Sequence, residues 1–246
     1  MNASLPPPGI HLRGVDLDRG GPLFRDLALD LDAGAWSCLL GASGVGKTSL
    51  LRLLAGLARP TRGEITASDG LALAGRVAYM AQQDLLLPWL SVLENVRLGP
   101  RLRGEGRRAR EPEARAMLAR VGLADHARRL PATLSGGERQ RVALARTLLE
   151  ERPVVLMDEP FAALDALTRH RLQALAAGLL VDRTVLLVTH DPLEALRLGH
   201  RVLVLTGQPA SPDAPLLPPG QPPRAPDDPA LTTLHRQLLA ALGVVR

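Results

Sequence analysis

The chain has 246 residues, of which 46% are apolar and 22% charged, so it can bury one substantial core with a subdomain beside it. Its net charge of +5 comes from arginines spread along the whole length, which reads as a solvated basic surface with little pull toward nucleic acid. A lone cysteine, Cys38, excludes an internal disulfide, and charges interrupt every leucine-rich run before the ~20 residues of a membrane span are reached.

Residues 1–8 have neither the basic start nor the apolar core of a secretory signal, so none is expected. Alternation in Ile10–Arg13 and Leu27–Leu31, with turns at Gly20-Gly21-Pro22 and Ala33-Gly34, predicts a small antiparallel sheet. Trp36–Leu40 reads as a buried strand, which makes Cys38 an inert core thiol. A glycine-rich turn follows, then a helix whose apolar face is Leu50, Leu51, Leu53, Leu54 and Leu57. Pro60 and Gly63 break the chain, and Glu64–Ala67 and Arg76–Met80 read as two further strands.

Ala81–Leu90 is a loop with polar amides and then apolar residues, and the capping box Ser91/Glu94 starts a helix. Residues 99–131 carry helical spacing without a strand-like run, so a helical subdomain is expected over about 91–150. The basic run Arg101–Arg110 lacks interleaved aromatics and has Glu105 and Glu111 close by, which favours a solvated helix entry over a nucleic-acid site. Helices over 135–150, 167–180 and 191–198 then alternate with the strands Val154–Asp158, Thr184–Thr189 and Arg201–Leu205. Strands this apolar belong in a parallel sheet covered by helices, hence an α/β core over 1–206. From Gly207 to the end the chain is rich in proline, and one amphipathic helix over Leu231–Leu242 is expected to dock.

Three constellations carry chemistry. Gly41, Ala42, Ser43, Gly44, Val45, Gly46, Lys47, Thr48 and Ser49 complete the pattern G-x-x-x-x-G-K-[ST] between a strand and a helix. Glycines turn several N–H groups inward and the helix adds its positive dipole end, so a polyphosphate is the expected ligand. Lys47 would face the β- and γ-phosphates, and Thr48 would ligate Mg²⁺. Asp158 and Glu159 end an apolar strand, where Asp158 would hold the Mg²⁺ shell and Glu159 would polarise an attacking water. In Ser135-Gly136-Gly137-Glu138 the capping box explains Ser135 and Glu138 but not the two glycines. A second phosphate contact at that helix start would explain them.

The phosphate loop, Gln82, Leu134–Glu138, Asp158-Glu159, Ala163-Leu164-Asp165 and Thr189-His190-Asp191 occur in the order found in ATP-binding cassette ATPases, and the chain resembles that family from about Ile10 to Leu205. The resemblance implies a phosphate-loop NTPase fold with a mostly parallel central sheet, a small antiparallel β subdomain and a helical subdomain. It implies ATP and Mg²⁺ as cofactors, and a head-to-tail homodimer in which Ser135, Gly136 and Gly137 of one copy close over ATP held by the other. Gln82 would touch Mg²⁺ and the attacking water, Asp165 would couple the two sites, and His190 would be the switch histidine near the γ-phosphate. In the family an aromatic upstream of the loop stacks on adenine. Alignment without gaps puts Asp18 there with Arg19 beside it, while Phe24 reads as core, so Arg19 is the candidate to stack on the base.

A lone cassette without a membrane span implies integral membrane permease subunits as partners, at the cytoplasmic face of the cell membrane, with a periplasmic or surface solute-binding protein in the same system. Leu85–Leu90 is then the surface for the permease. Pro88–Val92 and Asp158–Asp165 are similar to the importers of nitrate, sulfonates, taurine and thiamine-precursor pyrimidines, and Tyr79–Trp89 resembles the pyrimidine-precursor members most. The alternative is a non-transport cassette acting on nucleic acid or ribosomes. Such proteins carry a long coiled coil between the loop and the signature, or two cassettes in one chain, and this sequence has neither. A small-molecule phosphotransferase would need an acceptor pocket and a lid in place of Ser135–Gly137.

Overall fold

The computed structural model describes residues 6–106, 108, 110–225 and 228–243. The signal reading at residues 1–5, the basic-run positions Arg107 and Ala109, and tail positions 226–227 and 244–246 lie outside the described residues. The chain divides into two compact units. The first comprises the residues up to Val77, Pro153–Glu159 and the residues from Val181 onward; the second comprises Ala78–Arg152 and Pro160–Leu180.

In the first unit, β1 (Ile10–Asp18), β2 (Pro22–Leu31) and β4 (Arg62–Ala67) form an antiparallel sheet in the order β2-β1-β4. The strands run longer than simple alternation predicts. A register shift between Leu12 and Val15, with Gly14 at φ 60, inserts a bulge that brings Val15 and Leu17 back to the buried face.

The larger sheet carries β3 (Trp36–Gly41), β6 (Val154–Asp158), β7 (Thr184–Val188) and β8 (Arg201–Thr206) as parallel neighbours in the order β6-β7-β3-β8, with the short β9 (Ser211–Pro212) antiparallel at one edge. Every residue of β6 and β7 is buried, as expected of strands covered on both faces. Cys38 is fully buried and burial raises its pKa, so it is an inert core thiol.

Helix α1 (Lys47–Leu54) ends earlier than the leucine spacing suggests. Gly56, at φ 70, donates to the Leu53 carbonyl and Leu57 N–H to the Arg52 carbonyl, which closes the helix end with a left-handed glycine. Leu57 is therefore 59% exposed instead of lying on the buried face.

The proline-rich tail also departs from expectation, because it contributes to the core. Arg224 is only 4% exposed and spends all its guanidinium N–H groups on carbonyls of Leu196, Gly199, Pro218, Pro219 and Gly220. Two of these acceptors lie at the C-terminal end of α7 (Pro192–Leu198), where a cation is favoured. Helix α8 (Pro229–Ala241) then packs on α7 through buried Leu231 and Leu238.

The second unit begins as the chain passes along β5 (Val77–Met80) and continues through α2 (Val92–Val96), α3 (Leu98–Leu102), α4 (Glu111–Arg120), α5 (Gly136–Leu149) and α6 (Ala166–Leu179). Val92, Val96, Ala114, Leu118, Val142 and Ala145 are fully buried where α2 and α4 meet α5. The predicted capping box is present, with Ser91 N–H donating to Glu94 at 2.9 Å. Arginines of the basic run pair with carboxylates, Arg103 with Glu150 and Arg110 with Glu151. Among the described residues no helix is long and apolar enough to cross a membrane.

Replacing Arg224 with Ala strands the buried carbonyls of Leu196, Gly199 and Pro218, so chemical denaturation is expected to show a loss of about 2–4 kcal/mol. Arg224→Lys keeps the charge but not the fork of donors and recovers only part of that loss. A loss within experimental error for Arg224→Ala would show that the tail is held by α8 alone.

Candidate functional site

In the first unit, β3 delivers the phosphate loop. Gly41, at φ 152, ends the strand where a Cβ would lie 2.6 Å from the Leu205 carbonyl oxygen, so only glycine lets the loop leave so close to β8. Gly46, at φ 117, precedes α1, and a Cβ there would meet the Phe24 ring at 2.9 Å. Phe24 is itself fully buried, so it is the floor of the loop and not a platform for a ligand. Ala42, Ser43 and Gly44 are exposed around the cradle. The loop and the C-terminal end of α8 together line a cavity of about 590 Å³, with Gly41–Val45 on one side and Ala241 and Leu242 on the other.

Lys47 is 9% exposed, and its ammonium donates to the carbonyls of Gly41 at 2.7 Å and Ala42 at 2.9 Å. Burial lowers its pKa, with Glu159 and Asp158 pulling the other way. Thr48 Oγ1 donates to Asp158 Oδ2 at 2.8 Å. Burial raises the pKa of Asp158, the Thr48 hydrogen bond opposes this, and Glu159 adds to it. A hydroxyl and a desolvated carboxylate in contact are two hard oxygen donors short of positive charge, and this donor set fits Mg²⁺.

Glu159 follows Asp158 at φ 49, a backbone region uncommon for a side-chain-bearing residue. Its N–H donates to the Val188 carbonyl at 2.9 Å, which holds it at the sheet edge beside the end of β7. There its carboxylate lies 3.1 Å from Nδ1 of His190, whose side chain is 64% exposed. The first unit thus brings together Gly41–Ser49, Asp158, Glu159 and His190.

The second unit carries Gln82, Ser135, Gly136, Gly137 and Asp165. Gln82 is exposed in the segment after β5. Ser135 caps α5, its Oγ accepting from Glu138 N–H, while Glu138 Oε2 accepts from Ser135 N–H at 2.7 Å. Those contacts hold the pKa of Glu138 below the usual carboxylate range, the backbone hydrogen bond to Ser135 most of all. A Cβ on Gly137 would sit 3.2 Å from the Ala163 carbonyl, whereas one on Gly136 would meet nothing closer than 3.9 Å. Asp165 is the N-cap of α6 and accepts from Thr168 N–H at 3.0 Å, which lowers its pKa.

One supporting residue escaped sequence reasoning. His126 Nε2 lies 3.1 Å from the other Glu138 oxygen, so the signature carboxylate is braced from both sides. Nothing in local sequence signals a partner 12 positions upstream.

Sheet order, loop and paired carboxylates together define a phosphate-loop nucleoside triphosphatase of cassette type. The ABC transporter family model matches residues 24–162. The chain is 47% identical over 228 residues to an uncharacterized ABC transporter ATP-binding protein of Haemophilus influenzae, covering 91% of this chain and 94% of that protein. It is 47% identical over 239 residues to the aliphatic sulfonates import ATP-binding protein SsuB of Delftia acidovorans, covering 96% and 94%. Among solved structures, the dimeric structure of MJ0796, a bacterial ABC transporter cassette, superposes with a TM-score of 0.76 at 29% identity, over 86% of this chain and all of that one. Its post-hydrolysis dimer bound to ADP and Pi gives 0.73 over the same shares. The chain belongs to the ABC transporter family, as an ATP-binding cassette ATPase.

Because burial raises the pKa of Asp158, its charged form weakens the free fold above that raised value, and the penalty disappears once the group is protonated. Asp158→Asn is therefore expected to raise the melting temperature of the nucleotide-free chain near neutral pH. The gap to the parent narrows as pH falls toward the ordinary carboxylate range. The same variant should lose Mg²⁺-dependent nucleotide affinity by about tenfold or more. An unchanged melting temperature at neutral pH would contradict the desolvated carboxylate.

Proposed function

We propose that this chain is the ATP-hydrolysing subunit of an importer for a small anionic solute, acting through separate integral membrane permease subunits at the cytoplasmic face of the membrane. The observation that carries the chemistry is the Glu159–His190 pair, 3.1 Å apart, at the end of the strands that also supply Asp158 and the phosphate loop. Residues 1–206 would be the cassette and 207–246 the docked tail.

Thr48 and Asp158 would hold Mg²⁺, with Gln82 as a further contact, and the ion would neutralise charge on the β- and γ-phosphates. The N–H groups of Gly41–Ser49 and the Lys47 ammonium cradle the phosphates. Glu159 takes a proton from water as that water attacks the γ-phosphate in line, and His190 orients Glu159 and faces the departing phosphate.

Ser135, Gly136 and Gly137 serve the site of a second copy in a head-to-tail dimer. The exposed, side-chain-free start of α5 supports this, and so does the dimeric cassette among the structural relatives. Asp165 would couple the two sites through α6, whose first turn it fixes. Closing and reopening the dimer would drive the permease.

The permease surface we assign is Leu85–Leu90. Leu85 and Trp89 are 58% and 71% exposed, and the loop that presents them is tied by side-chain hydrogen bonds. Asn95 bonds Leu87, Leu90 and Ser91, and Arg146 donates to the carbonyls of Asp84 and Leu85. A rigid loop with an exposed tryptophan is what a partner surface requires. A solute-binding protein outside the membrane would complete the system.

The cassette does not touch cargo, so the cargo reading rests on relatives. Those named for aliphatic sulfonate import favour sulfonates, the class that includes taurine, over the pyrimidine precursors or nitrate. The same names weigh against a cassette acting on nucleic acid or ribosomes.

Glu159→Gln is expected to keep nucleotide binding, lower turnover by about 10²–10⁴-fold and accumulate an ATP-bound dimer on size exclusion. Undiminished turnover would remove Glu159 as the base. Ligand screening of any solute-binding protein found encoded beside this chain's gene would name the cargo, with sulfonates expected.

A further inference from the structure

Resting on the proposed roles of Leu85–Leu90 as the permease surface and of the start of α5 as the part that serves a second copy, we infer that Arg139 is a positioning residue that makes the Ser135 turn answer to the permease loop. Arg139 lies near the start of α5, and its guanidinium spans two segments. Nε donates to Asp84 Oδ2 at 3.0 Å, directly before the permease loop. Nη1 donates to the Leu134 carbonyl at 2.9 Å, one residue before Ser135. The donors of a guanidinium are fixed in one plane. A shift of Asp84 therefore changes the hold on Leu134 as well.

The loop end of this link is held under strain. Leu85 has φ 46, a backbone region that leucine seldom adopts, and the residue is 58% exposed. Such a conformation persists where its surroundings enforce it. Here Asp84 Oδ1 accepts from Leu86 N–H at 3.2 Å, closing a turn around Leu85, while Arg146 donates to the carbonyls of Asp84 at 2.6 Å and Leu85 at 2.9 Å. Arg139 and Arg146 both belong to α5 and stand about two helical turns apart. The helix that begins with the Ser135 turn thus also fixes the strained part of the loop. A partner that presses on Leu85 acts directly on those contacts.

The far end of the loop reaches the same turn by a second route. Val92 N–H donates to the Arg129 carbonyl at 2.9 Å and Leu93 N–H to the Ala127 carbonyl at 3.0 Å. The segment 127–129 follows His126, which braces Glu138, the capping partner of Ser135. Both ends of Leu85–Leu90 are tied to Ser135, one through Arg139 and one through His126. Coupling between two sites is reciprocal, so closure over a nucleotide at Ser135–Gly137 is felt at the loop.

Trp89 gives the loop its own reporter, because it is 71% exposed while the other tryptophan, Trp36, is buried. The test uses the full chain in a Glu159→Gln background with ATP and Mg²⁺, reading tryptophan emission and dimer formation together. ATP should form the dimer and shift the emission, and Trp89→Phe should remove the shift. Arg139→Ala should also remove it, whether or not the dimer persists, and leave the dissociation constant for ATP within about twofold. With Glu159 retained, Arg139→Ala and Asp84→Asn should each lower kcat by about fivefold to tenfold, and the double variant should fall no further than Arg139→Ala alone. Asp84→Asn keeps an acceptor for Leu86 N–H and withdraws the charge facing Arg139, so it carries the same expectations if Arg139→Ala does not fold. Arg139→Lys cannot hold both acceptors in one plane and should recover only part of the rate.

A dimer that forms with no change at Trp89, or a Trp89 shift that survives Arg139→Ala, would overturn the link. Additive losses in the double variant would overturn it too, as would an ATP affinity that falls in step with kcat, which would make Arg139 a purely structural residue. Failure of the Glu159→Gln chain to form a dimer with ATP would instead overturn the second-copy reading on which the inference rests.

Discussion

Parallel strands in lateral register bring their C-terminal ends to one edge of the sheet, and the site depends on that registration. Leu39 lies level with Val188, and Val188 with Asp158. Thr189 N–H therefore closes on the Leu39 carbonyl and Glu159 N–H on the Val188 carbonyl. These lateral hydrogen bonds carry three strands out of the core at one level. The phosphate loop, the two carboxylates and His190 emerge side by side, although more than a hundred positions separate Gly41 from Asp158 in the chain. Antiparallel strands would not deliver so many C-terminal ends to one edge.

Removing water from that edge has a thermodynamic cost that the fold distributes. Lys47 and Asp158 are nearly inaccessible, and burial pushes each toward its neutral form. The loop carbonyls stabilise the ammonium and Thr48 stabilises the carboxylate. Neither arrangement replaces a phosphate chain or a divalent cation, so the free site is held short of full electrostatic compensation. Arg224 is the opposite case. It is equally deep, but every N–H meets a carbonyl, and its place at the end of α7 ties the tail to the helix that begins just after His190.

Much of this was legible in the sequence because its signals are local. Period-two and uninterrupted apolar runs predict the strands, and Ser91/Glu94 and Ser135/Glu138 predict two helix starts. The loop motif predicts both ligand class and context. Non-local chemistry was less legible. A bulge at Gly14 hides half of β1 from a test of alternation, and a glycine closure two residues past α1 turns Leu57 outward. The tail reads as proline-rich coil because coil composition says nothing about one arginine finding five carbonyls. His126 was invisible because its partner is set by the fold of the second unit alone.

The start of α5 carries two adjacent glycines that packing explains unequally. Gly137 has a packing reason, since the Ala163 carbonyl leaves it little room. Gly136 has none: it is exposed, and a methyl group would meet nothing nearer than ordinary contact distance. An alanine there would favour the helix by up to about 1 kcal/mol, yet the chain keeps glycine beside a serine whose backbone and side chain are already fixed by Glu138 and, through it, by His126. In the proposed function, this bare helix N-terminus, unused by any contact among the described residues, would serve a partner outside the chain. An anion is what such a terminus attracts, and the triphosphate cradle of another copy of this chain would supply one.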